Sequence, residues 1–94
     1  MSSSIDVKTA VRHAIAYLLG FEEFIAASDI RLEETEYDDR GYWLITLSSI
    51  EKRNPLDPLA SIISRPARNY KVFRIDASTG EVKSMKVRSL QPVD

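Results

Sequence analysis

The chain has no cysteine and one histidine, His13, in 94 residues. Without cysteine there is no disulfide, no thiolate nucleophile and no thiolate-held zinc. A domain of this size must therefore hold together through its apolar core alone. With one histidine, any Ser-His or His-His arrangement would have to be built around His13. Glycine is also scarce: Gly20, Gly41 and Gly80 stand far apart, which excludes a glycine-rich phosphate loop. No apolar run approaches the roughly 18 residues that a membrane-crossing helix needs. Residues Met1 to Asp6 carry neither the basic leader nor the apolar stretch of an export signal. The expectation is a single domain over 1–94, frayed at 1–4 and 91–94, working in the cytoplasm with no membrane association and no cofactor.

Charge is present in both signs but unevenly placed. Residues 1–50 hold four basic and nine acidic side chains, 4 − 9 = −5, and residues 51–94 hold nine basic and five acidic, 9 − 5 = +4. Acidic and basic strands could lie side by side as cross-strand pairs, or the molecule could be bipolar with one docking face. The acidic run Glu33, Glu34, Glu36, Asp38 and Asp39 is the only hint of a cation site. Strand alternation sends Glu34 and Glu36 to one face and Glu33 to the other, and the spacing is not that of a calcium loop. No metal is expected.

The apolar residues Val7, Ala10, Val11, Ala14, Ile15 and Leu18 recur at helical spacing while Lys8 and Arg12 take another face. This predicts an amphipathic helix over 5–19, capped by Ser3 or Ser4, with Asp6 in its first turn and Gly20 as its stop. Phe21, Phe24 and Ile25 either extend it or form an apolar corner. His13 falls within this helix, where it is expected to be an ordinary surface or boundary residue.

Strands follow. Asp29 to Tyr37 is polar, with Ile30 and Leu32 on one face and Arg31, Glu33, Thr35 and Tyr37 on the other, as suits an edge. Asp38 to Gly41 is a turn. Tyr42 to Ile50 is the strongest strand, directing Trp43, Ile45 and Leu47 to the helix and Tyr42, Leu44 and Thr46 away from it. Residues 51–67, with Pro55, Pro58 and Pro66, read as a long loop or a short helix over 58–64.

Two final runs, Tyr70 to Ile75 and Glu81 to Arg88, flank Asp76-Ala77-Ser78-Thr79-Gly80. Aspartate can bond its downstream backbone and glycine can take positive φ, so this is a hairpin loop. Alternation puts Lys71, Phe73 and Ile75 on one face and Tyr70, Val72 and Arg74 on the other. The fold class is α+β: an N-terminal helix on an antiparallel sheet of about four strands.

The stretch from Phe73 to Val82, FRIDASTGEV, is similar to the strand-turn-strand signature of PepSY-type domains, in which a strand ending in Asp-Ala precedes Thr-Gly-Glu and a valine-led strand. The resemblance implies a cystatin-like fold. It also implies a role in inhibiting or modulating peptidases, or in binding other proteins, without catalysis.

One helix covers one face of a sheet and leaves the other open. By alternation the open face carries Tyr37, Tyr42, Leu44, Thr46, Tyr70, Val72 and Arg74. Tyrosine and arginine are the types that dominate binding hot spots, although aromatic residues also occur on exposed strands for their β-propensity alone. A non-enzymatic protein-binding module of the inhibitor, immunity or accessory-subunit type is expected, with a protein partner or a second copy on that face. Two alternatives stay open: a small-ligand sensor with a helix–sheet pocket near Trp43, and a nucleic-acid binder using the basic C-terminal hairpin. The near-neutral net charge argues against the second.

Overall fold

The computed structural model describes residues 4–52 and 68–88. A helix, α1 (Val7–Leu19), is followed by four strands, β1 (Ala26–Asp38), β2 (Tyr42–Lys52), β3 (Arg68–Asp76) and β4 (Val82–Arg88). They form one antiparallel sheet in the order β1-β2-β3-β4, a simple meander. The fold is the expected α+β arrangement of one helix on four strands. Glu51 and Lys52, assigned above to the long loop, belong to β2. The loop or short helix expected beyond them and the fraying expected at 91–94 lie outside the described residues.

Asp6 itself caps α1. Its backbone is extended and its carboxylate accepts from the Thr9 amide at 2.8 Å, so the helix starts at Val7 rather than at Ile5. The expected first-turn carboxylate is therefore the cap. Gly20 ends the helix in right-handed geometry, φ −65°, and the chain turns through 21–24 before β1. Phe21 packs edge-on to Tyr17 at 5.1 Å, whereas Phe24 is left exposed.

The core lies between α1 and one sheet face. Ala10 and Ala14, both fully buried, let the helix backbone approach the sheet closely, and Leu18 fills the far end. They meet Ile45, Leu47, Phe73 and Ile75, the alternate residues of β2 and β3 that the period-2 pattern assigns to this face. Burial of each of these side chains is worth about 1.5–3 kcal/mol.

Polar bonds fix the helix against the hairpin end of the sheet. The Ile5 amide donates to Ala77 O at 2.7 Å, and Trp43 Nε1 donates to Ile5 O at 3.0 Å. His13 Nδ1 lies 2.6 Å from Gly80 O. The histidine is thus half-buried and bonded to the loop between β3 and β4, which its place in the sequence did not announce. In that loop Asp76 accepts from the Ser78 amide and hydroxyl, at 2.8 and 2.7 Å, and Gly80 takes φ +80°.

β1 departs from the expected alternation. Between Ser28 and Arg31 three steps of β1 span only two of β2, and between Leu32 and Glu34 two steps span one. Each is a β-bulge, and Asp29, in the first, has φ +49°. An inserted residue reverses the parity of everything after it. Ile30, Leu32, Thr35 and Tyr37 therefore share the helix-side face, with Leu32 opposite Leu47, Thr35 opposite Ile45 and Tyr37 opposite Trp43. The placement of Tyr37 on the open face is corrected: its ring sits edge-on to Trp43, centroids 5.0 Å apart.

Candidate functional site

No described element lies over the second sheet face. Its side chains form rows across the strands. One row runs Glu36, Leu44, Arg74, Ser84 and the next runs Glu34, Thr46, Val72, Lys86; on one side of these two lie Tyr42 and Asp76, and on the other Ser48, Tyr70 and Arg88. Of the residues expected on this face, Tyr42, Leu44, Thr46, Tyr70, Val72 and Arg74 are together and Tyr37 is not.

The face divides into two halves of different character. Toward the hairpin end, the Arg74 guanidinium stacks over the Tyr42 ring, 3.9 Å from its centroid, beside half-buried Leu44 and Val72. A stacked arginine gives up few hydrogen-bonding options and presents an aromatic-cation plateau, a common anchor for protein surfaces.

The other half is roofed by its own charges. Arg88 of β4 reaches Glu34 of β1 at 3.1 Å, spanning the two strands between them. Arg68 bonds both the carboxylate and the carbonyl of Asp29 and donates to Ser48 Oγ at 2.9 Å, while Ser48 donates to Glu33 at 2.6 Å. Beneath this roof Thr46 and Ser48 are only 3% and 1% exposed. Burial pushes the Asp29 carboxyl up, but the Arg68 hydrogen bond and the nearby Arg31 guanidinium outweigh it and hold the group below its usual value.

Sequence reasoning missed this network for two reasons. The bulge turns Glu33 toward Ser48 on the face that Glu34 also uses, so the two are not split between faces as alternation had it. The pairs also join strands that are not neighbours. Acidic β1 and basic β4 occupy opposite edges of the sheet, and their charges meet only by reaching over the middle.

On the helix side, a second feature lies between α1 and β1: a groove of about 390 Å³ lined by Val7, Val11, Leu32 and Thr35, with Lys8 and Arg12 at its rim. Trp43 is not among the residues that line it. Leu32 and Tyr37 on this side are about half exposed, 50% and 51%. Another ion pair on this side, Lys71 with Glu51, is nearly buried: the Lys71 side chain is 7% exposed.

Among the described residues no group of three or more carboxylate or histidine side chains could hold a metal, and no helix is long and apolar enough to cross a membrane. In comparisons with known proteins, no family model, no curated protein and no solved structure matches this chain.

Proposed function

We propose that this chain is a non-catalytic protein-binding module of the inhibitor, immunity or accessory-subunit kind, acting in the cytoplasm through the open face of its sheet. The observation that carries this reading is the unroofed half of that face. Tyr42, Leu44, Val72 and Arg74 form an aromatic, aliphatic and cationic patch on a rigid sheet, with no described residue above it. Such a patch desolvates at low entropic cost, because strands and a stacked ring are already ordered. The similarity of Phe73 to Val82 to PepSY-type domains supports the same class of function.

The test is capture of proteins from native cytosol by the immobilised chain, run beside the Tyr42→Ala/Tyr70→Ala variant. A discrete partner retained by the wild type and lost by the variant is the expected result. Equal capture by both, with both folded, would refute the assignment of this face.

The groove beside Val7, Val11 and Leu32 favours a second reading, a sensor of a small apolar ligand bearing a negative charge. Its size is at the low end of small-molecule sites, and Lys8 and Arg12 supply the complementary charge. Leu32→Arg would abolish such binding and leave the open face unaffected.

A further inference from the structure

We propose that the partner of the open face is a second copy of this chain, bound about a two-fold axis that runs between β2 and β3, parallel to the strands. The inference rests on the reading of that face as the binding surface and names its occupant.

The argument is one of charge and symmetry. Across the face the sign changes between the two edges: Glu34, Glu36 and Asp38 lie on β1, where Arg31 is paired with Asp29, and Lys86 and Arg88 lie on β4. Glu34 is already engaged by Arg88 and Arg74 is stacked on Tyr42. Glu36 and Lys86 are both exposed, and among the described residues neither has an ion-pair partner. They sit in adjacent rows at opposite edges of one surface.

A two-fold axis parallel to the strands reverses the strand order of the second copy, so β1 of each lies over β4 of the other. Glu36 then lies over the partner's Ser84, one row from the partner's Lys86 and within reach of its long side chain, and the contact is made twice because the interface is self-complementary. The alternative in-plane axis, perpendicular to the strands, would lay β1 over β1 and bring Glu34, Glu36 and Asp38 against themselves. Electrostatics thus selects the first axis, and it is compatible with the aligned packing of two sheets at about 30°. At the centre β2 of each copy lies over β3 of the other, so Leu44 faces the partner's Arg74 and Val72 faces the partner's Thr46. An unrelated partner would need its own matching gradient, which a second copy has by construction.

The full chain, studied by sedimentation equilibrium over a dilution series, is expected to reach twice its 10.7 kDa mass. Glu36→Lys and Lys86→Glu, each at an exposed site outside the core, should each weaken the dimer by about tenfold or more, since every substitution creates two like-charge contacts. An equimolar mixture of the two variants should recover wild-type association, because both contacts are again of opposite sign. Circular dichroism checks that each variant is folded. A wild-type chain that stays at 10.7 kDa throughout, variants that dimerise as well as wild type, or a mixture that stays monomeric would each overturn the proposal. If the chain is monomeric but Tyr42→Ala/Tyr70→Ala loses a captured protein, self-association falls and the binding-face reading stands. If it is monomeric and capture is unchanged, both fall.

Discussion

Gly80→Ala tests how the helix is locked to the β3–β4 loop. Gly80 has φ +80°, and a Cβ placed there would lie 2.5 Å from His13 Cε1 and 2.8 Å from Nδ1. Two costs follow. An L-residue in the left-handed region loses about 1–2 kcal/mol. The imidazole can swing away, but only by giving up its 2.6 Å contact with Gly80 O, a further cost of about 1 kcal/mol. The sum, about 2–3 kcal/mol, should lower Tm by about 10 to 20 °C in a domain of this size. Gly41→Ala is the internal control: φ is +93° but nothing lies within 4 Å of the added methyl, so only the backbone cost of about 1–2 kcal/mol applies. Urea unfolding followed by Trp43 fluorescence gives each value, and a cycle with His13→Ala isolates the contact. In the His13→Ala background Gly80→Ala should cost about 1 kcal/mol less than in the wild type. Equal costs at Gly80 and Gly41, or a cycle with no coupling, would refute the lock.

Phe73→Ala, which empties a fully buried core site, should cost about 3–5 kcal/mol, whereas Tyr42→Ala/Tyr70→Ala, at dilutions where the chain is monomeric, should cost only about 1–2 kcal/mol because both rings lie half-buried on the open face and lose the Arg74 stack and cross-strand contacts alone. Glu51→Gln should destabilise by about 3 kcal/mol by leaving the Lys71 ammonium, 7% exposed, without its counter-charge, while replacing both members, Glu51→Leu/Lys71→Met, read by the same unfolding curves, should be close to neutral. Asp6 and Asp76 are held below their ordinary 3.8, Asp6 chiefly by its hydrogen bonds from Thr9 and Asp76 by those from Ser78. Because the folded value lies below the unfolded one, their contribution is complete above 3.8 and is lost as pH falls through the folded values. An Asp6→Asn/Asp76→Asn variant, which keeps a capping oxygen but cannot titrate, should therefore show a flatter loss of stability below about pH 4 in acid titrations followed by circular dichroism.

α1, β2, β3 and β4 and the core between them follow from periodicities already present along the chain. Helical spacing of Ala10, Ala14 and Leu18 and the alternation of Ile45, Leu47, Phe73 and Ile75 are local consequences of backbone period, and the same periods give Tyr42, Leu44, Val72 and Arg74 to the open face. The turn at 76–80 was equally legible, since Asp76 and Gly80 act on their own backbone. What alternation could not reveal was the pair of bulges in β1. An extra residue in one strand is defined only against its partner, and it carried Tyr37 to the Trp43 side and Glu33 to Ser48. Strand order, too, is a property of the assembled sheet. The meander alone separates acidic β1 from basic β4, sends Arg88 and Arg68 across the middle to Glu34 and Asp29, and leaves Glu36 and Lys86 facing outward. His13 closes on Gly80 across 67 residues of chain, a contact that no local pattern encodes because only packing brings its two ends together.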